Sequence, residues 1–290
     1  MIRTCAAISL AILSTVTHRF MCLIIIGVEV HPDYPLIMAS NRDEFYARPT
    51  RPAQWWPSAP HICAGRDLKA GGTWCGLTCD GRWAALTNYR DFTQPVPDGP
   101  TRGTVVTDYL HADTAPEQYL SDLRTLTPRA PFNLLFGRGS TAYYTAHPDR
   151  APQVVEAGWH GLSNAYLDTP WHKVNRGKQR VIDAIGNTVR PEDLLDALHD
   201  REPAPDSLLP DTGLPQDKER QVSSMFIAGE VYGTRASTVM LQHRSGRFLF
   251  AERLYVYGRE ATTRTFTCDP TSAAPSTTAG QATADVLVSA

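Results

Sequence analysis

The chain has no apolar run of the roughly 18 residues that a membrane-spanning helix needs. It also has little excess charge of either sign. Its 28 Lys and Arg stand against 30 Asp and Glu, a formal net charge of -2, so neither nucleic acid nor an anionic membrane surface is expected as a partner. No segment repeats at a fixed period, which excludes solenoids and propellers. Six cysteines in 290 residues are too few for the disulfide frameworks of small secreted domains. Cys75 and Cys79 lie close in sequence, but no second pair follows at zinc spacing. No metal is expected, and both thiols read as small hydrophobes in a strand and its turn. There is no Cys-x-x-Cys-His run for covalent haem.

What is present suits a globular chain: 42% hydrophobic and 20% charged residues. Residues 1–20 place Arg3 before an apolar stretch, as in a weak secretory signal. Residues 17–20, Thr-His-Arg-Phe, lack a small-x-small cleavage site. The plainer reading is translation from Met21, which makes 1–21 an N-terminal extension and the cytoplasm the expected compartment, or the periplasm if 1–20 are a true signal. Cys22 follows Met21, and an initiator Met before a small residue is normally removed. Cys22 would then carry a thiol and a free α-amine. An α-amine has a reference pKa near 8, so one residue can supply nucleophile and general base. The alternative is a buried cysteine heading an apolar strand.

Residues 22–30 form a β-branched apolar run, a buried strand, and 36–40 its hairpin partner. Residues 48–60, with four prolines, are expected to be irregular and exposed. Further strands are expected at 62–66, 73–78, 82–88, 133–137, 142–146, 153–157, 161–164, 224–228, 237–243 and 247–257. Helical spacing marks 104–112, 115–126, 171–185 and 191–199. A Pro/Asp-rich loop fills 200–218, and after 266 the composition implies a disordered tail, 267–290. Hairpins dominate, so the sheets are mainly antiparallel with helices grouped against them. This is an α+β fold and a four-layer sandwich, with one domain over 22–266.

Asn41-Arg42-Asp43-Glu44, some twenty residues after Met21-Cys22, resembles the signature of the NRDE-motif family, also called the transport and Golgi organisation protein 2 family. Five further stretches agree in order: residues 64–67 (Ala-Gly-Arg-Asp), 71–76 (Gly-Gly-Thr-Trp-Cys-Gly), 86–90 (Leu-Thr-Asn-Tyr-Arg), 161–164 (Gly-Leu-Ser-Asn) and 232–238 (Tyr-Gly-Thr-Arg-Ala-Ser-Thr). More distantly, the order of pieces resembles choloylglycine hydrolases and penicillin V acylases, N-terminal-nucleophile (Ntn) enzymes that cleave amides with a terminal cysteine. That resemblance implies an αββα sandwich and a catalytic set of Cys22, Arg42, Asp43, Asn88, Asn164 and Arg235. That family has two residues between its Arg and Asp, whereas here they adjoin. Aligning the following aromatic, Phe45, instead puts Glu44 in the acid role and Asn41 in the Arg role. By this resemblance Arg42 or Arg235 would depress the Cys22 thiol pKa. Asp43 would hold the α-amine, and amide donors from Asn164 and near Asn88 would hold the oxyanion.

Two functions follow as expectations. One is a cysteine amidase or acyltransferase acting on a linear amide or acyl thioester, with no cofactor required. The other is a non-catalytic protein that binds and moves haem, as a non-covalent ligand, or acyl-coenzyme A and lipid. The Ntn resemblance implies the first, and the NRDE resemblance the second.

Overall fold

The computed structural model describes residues 21–91, 99–123, 130–269 and 276–279. The reading of residues 1–20, the end of the second helix and most of the tail lie outside them.

The apolar run after Met21 forms β1 (Cys22–Val28), which pairs antiparallel with β2 (Leu36–Phe45). β3 (Thr50–Trp56), β4 (Ala59–Asp67), β5 (Cys75–Thr78) and β6 (Arg82–Asn88) follow. Next come α1 (Gly103–His111), α2 (Pro116–Leu123), β7 (Phe132–Arg138), β8 (Thr141–His147), β9 (Arg150–Val154) and β10 (Gly158–Leu162). The chain continues through α3 (His172–Asp183), α4 (Pro191–Ala197), α5 (Gln216–Gln221), β11 (Tyr232–Gln242), β12 (Phe248–Val256), β13 (Arg259–Cys268) and β14 (Ser276–Ala279). Two seven-stranded sheets result, in the orders β10-β1-β2-β11-β12-β13-β14 and β3-β4-β5-β6-β7-β8-β9, antiparallel throughout.

Both faces of each sheet are covered, which is why β1 is apolar without alternation. Ile24, Ile26 and Val28 point into the core between the sheets, with Met38, Trp83 and Phe250. Leu23 and Ile25 point the other way, to Val174 and Val181 of α3 and Leu194 of α4. On the far side, Ala84 and Leu86 of β6 meet Val105, Tyr109 and Tyr119 of α1 and α2. The architecture is the expected α+β αββα sandwich. No helix among the described residues is long and apolar enough to cross a membrane.

Several expectations need correction. Residues 50–56 are a strand despite Pro52, because β3 is an edge strand whose register shifts between Arg51 and Gln54, where Pro52 costs no ladder bond. Residues 224–228 are not a strand and make only an isolated bridge, Ala228 to Gly233. The tail does not begin at 267: β13 runs to Cys268, and 276–279 pair with it. Cys79 is not a free thiol but is disulfide-bonded to Cys268, 189 residues away, a pairing that no local spacing announces.

Candidate active site

Cys22 opens β1 at the edge of a cavity of about 440 Å³. The ends of β1 and β2, the 67–74 segment, the end of β6 and residues 99–103 wall it in. The wall can close because position 72 is glycine: a Cβ there would lie 2.4 Å from the Gly103 carbonyl carbon.

Strand alternation places the adjacent residues Arg42 and Asp43 on opposite faces of β2, so they reach Cys22 from two sides. Arg42 pairs with Cys22 in the β1–β2 register. Its guanidinium stacks on Trp74 at 4.1 Å and lies 3.5 Å from the Glu44 carboxylate, while its Nη1 is buried without a partner. Asp43 sits on the α3 side. Its Oδ1 accepts from the Thr234 hydroxyl at 2.6 Å, and its Oδ2 is buried and unpartnered. Its backbone N–H donates to the Met21 carbonyl at 3.2 Å. Burial pushes its carboxyl up to about 6, against the pull of Lys173 and the Thr234 bond.

The two alternative pairs for the acid and Arg roles sit differently. Glu44 is occupied by Arg42, Arg48 at 3.4 Å and the Phe45 N–H at 2.7 Å. Asp43, not Glu44, is the carboxyl whose charge acts on Cys22. Asn41 faces away and ties Leu198 and Met225 carbonyls to the Ser237 hydroxyl.

Asn164 is fully buried. Its Oδ1 accepts the Cys22 N–H at 3.3 Å, and its Nδ2 donates to the Asn88 carbonyl at 2.9 Å. Its Oδ1 therefore fixes the Cys22 nitrogen, and its Nδ2 ties the site to the end of β6. Asn88, ending β6, lines the cavity. Arg235 does not. Its Nη1 donates to the Phe45, Tyr46 and Arg48 carbonyls at 2.8, 3.2 and 3.2 Å, bracing the turn after β2.

The expected depression of the thiol is also reversed. Burial, then the Asp43 carboxylate, pushes Cys22 up to about 12, and the Asp43 N–H, Arg42 and Lys173 only partly offset this. A thiol so placed reacts only if a base takes its proton.

Sequence reasoning missed four residues here. Ser163 donates to the Cys22 carbonyl at 2.8 Å, and Thr234 holds Asp43; both lie in motifs already singled out. The Tyr232 hydroxyl accepts the Met21 N–H at 2.6 Å. Lys173 is 2% exposed. Helix α3 reads as basic outside, yet Lys173, Gly177 and Val181 recur at i, i+4, i+8 and share its buried face.

The family model for Transport and Golgi organisation 2 matches residues 21–256. The Transport and Golgi organization 2 homolog of Mus musculus is 35% identical over 256 residues, covering 80% of this chain and 92% of its own. The Homo sapiens homolog is 36% identical over 258 residues with the same coverage, and the Drosophila melanogaster protein 28% over 259. Among solved structures, an N-acylethanolamine-hydrolyzing acid amidase ortholog of Caenorhabditis elegans aligns at TM-score 0.45 and 10% identity, over 76% of this chain and 92% of that one. A conjugated bile acid hydrolase mutant of Clostridium perfringens aligns at TM-score 0.35 and 9% identity, over 90% and 89%. Likenesses of that size say nothing of the reaction. The family match and the close relatives do settle kinship: the chain belongs to the Transport and Golgi organisation 2 family.

Proposed function

We propose that this protein is a cysteine N-terminal-nucleophile enzyme that transfers the acyl group of a linear amide or acyl thioester to water through Cys22. One observation carries the reading. The Cys22 nitrogen is gripped by Asn164 Oδ1 at 3.3 Å, in a residue that lines the cavity and feels the charge of Asp43, whose Oδ2 is buried without a partner. A backbone amide carries one hydrogen and needs one acceptor; an α-amine carries more. With Met21 removed, the second acceptor is Asp43 Oδ2.

The chemistry follows from the burial. At about 12 the thiol holds almost no thiolate at neutral pH, whereas an α-amine titrates near 8. The amine takes the thiol proton as sulfur attacks the acyl carbonyl, then delivers it to the leaving group. Removal of Met21 also frees the Asp43 N–H and the Tyr232 hydroxyl, both engaged by Met21 while it is attached. The Asp43 N–H and Arg42 Nη1 are the donors available to the developing oxyanion. Loss of one such donor costs roughly 2.7–4 kcal/mol of barrier.

The binding reading draws on another observation. While Met21 stays attached, the Cys22 nitrogen is an amide and cannot act as a base. Acyl trapping tests the enzyme reading. Incubation with an activated acyl ester is expected to add one acyl group to the Cys22 peptide, and Cys22→Ala is expected to add none there and to lose turnover. Full turnover by Cys22→Ala would end the proposal.

A further inference from the structure

Lys173 has no part in the reaction as drawn, and the packing does not need its charge. It stands on the buried stripe of α3, where Val174, Gly177 and Val181 meet the sheet. The helix comes close because a Cβ at Gly177 would lie 3.1 Å from Ile25. The ammonium donates to the Val222 carbonyl at 3.3 Å. A buried ammonium with a neutral acceptor is costly unless a charge answers it. The charges facing it are Asp43 of β2, Cys22 of β1 and Glu219 of α5, with Arg90 opposing. Glu219 already pairs with Arg90 at 2.7 Å. Asp43 is faced by Lys173, Arg42 and Glu44, and by the Thr234 hydroxyl. Its Oδ2 has no partner, so Lys173 and Asp43 act on each other through space and leave that oxygen open to a third group.

We propose that Lys173 is a positioning residue of the Cys22 centre: it holds Asp43 as the carboxylate, so that Asp43 can orient the Cys22 α-amine. This rests on the reading of Cys22 as the nucleophile. Lys173 exchanges no proton. The C–S bond forms, the acyl bond to the leaving group breaks, and the thiol proton passes through the α-amine to the departing atom. Lys173 makes the largest contribution that lowers the Asp43 carboxyl, which burial still leaves at about 6. Burial brings Lys173 itself down to about 8, so it is mostly charged at neutral pH. Transfer falls first below about 8, as the α-amine itself takes a proton; below about 6 Asp43 takes a proton too and releases the amine, which gives a second, steeper limb. Without the lysine charge that limb moves up.

The test is the pH dependence of acetyl transfer from p-nitrophenyl acetate to Cys22. Protein made from its own gene is used, and the adduct is followed by mass spectrometry of the Cys22 peptide, which separates it from the buried free thiols Cys63 and Cys75. The ester C–O bond breaks and p-nitrophenolate leaves. Wild type is expected to show the amine limb near pH 8 and a second, steeper limb near pH 6. Lys173→Met, and Lys173→Gln, which keeps a donor for the Val222 carbonyl, should raise the second limb by at least about one unit, slowing transfer at least about fivefold at its wild-type midpoint. Lys173→Arg should leave it in place. Circular dichroism confirms folding, and if the Met variant fails to fold, Gln and Arg carry the comparison. A role confined to packing would lower the rate at every pH without moving the limb. An unmoved limb in a folded Met or Gln variant that still labels Cys22 overturns this inference alone. No acetyl on wild-type Cys22 at any pH overturns the nucleophile reading and this inference with it.

Discussion

At the residue scale, the site is built from groups kept in unfavourable protonation environments. Burial raises the Cys22 thiol and the Asp43 carboxyl and lowers Lys173. Such a cluster beside a cavity is what makes these residues candidates for a functional site. Glu252 shows the same strain away from it. It is 1% exposed, accepts the Ala53 N–H at 2.7 Å, and is raised by burial from 4.5 to about 7. A raised acid favours the fold below its unfolded pKa, and that contribution is lost as pH rises through the folded one. Glu252→Gln keeps an acceptor for Ala53 and removes the charge. It should leave stability at pH 4.5 nearly unchanged and raise it at pH 8 by up to about 3 kcal/mol, at roughly 1.4 kcal/mol per pKa unit. Denaturant midpoints at the two pH values check this; an equal effect at both would contradict it. The sequence showed which residues matter more clearly than what they do. Arg42, Asp43, Asn88 and Asn164 could be named from motifs. Only the two faces of β2 show that Arg42 and Asp43 flank Cys22, and only the fold shows Asn164 spending its amide on the Cys22 nitrogen. Lys173 was illegible because a helix lysine ordinarily reads as a solvated one.

At the scale of elements, the site depends on how closely α3 lies against β10 and β1. A Cβ at Gly161 would fall 2.6 Å from Val174 Cγ1, and a β-branched side chain has little room to turn aside. Gly161→Ala should therefore cost roughly 1–3 kcal/mol. It should also slow acylation of Cys22, because α3 carries Lys173. Thermal unfolding beside the acyl-trapping assay tests both, and a variant of wild-type stability would show that the helix has slack. Elements were legible where apolar periodicity was strong, as in β1, β6 and α3. β3 was not legible, because Pro52 argues against a strand unless the strand lies at a sheet edge, and local sequence does not show the edge. β13, with its Thr and Arg alternation and mostly half-buried residues, resembled the polar tail that follows it.

At the scale of the molecule, the αββα layering was legible because hairpins and apolar strands imply antiparallel sheets that need covering on both faces. The Cys79–Cys268 bond was not, since it joins the turn after β5 in one sheet to the end of β13 in the other. Cross-links over long loops stabilise mainly by restricting the unfolded chain. Cys79→Ser should lower stability by roughly 2–4 kcal/mol, and reductant should do the same to wild type and nothing to the variant. Identical unfolding of wild type with and without reductant would count against the bond.

The whole account turns on the nitrogen of Cys22, and the intact mass of the protein made from its own gene tests it most directly. A chain beginning at Cys22, with a free amine beside the thiol, is the predicted result. A mass that retains Met21 would leave that nitrogen an amide, remove the base from the mechanism, and contradict the assignment of Cys22 as a self-activated nucleophile.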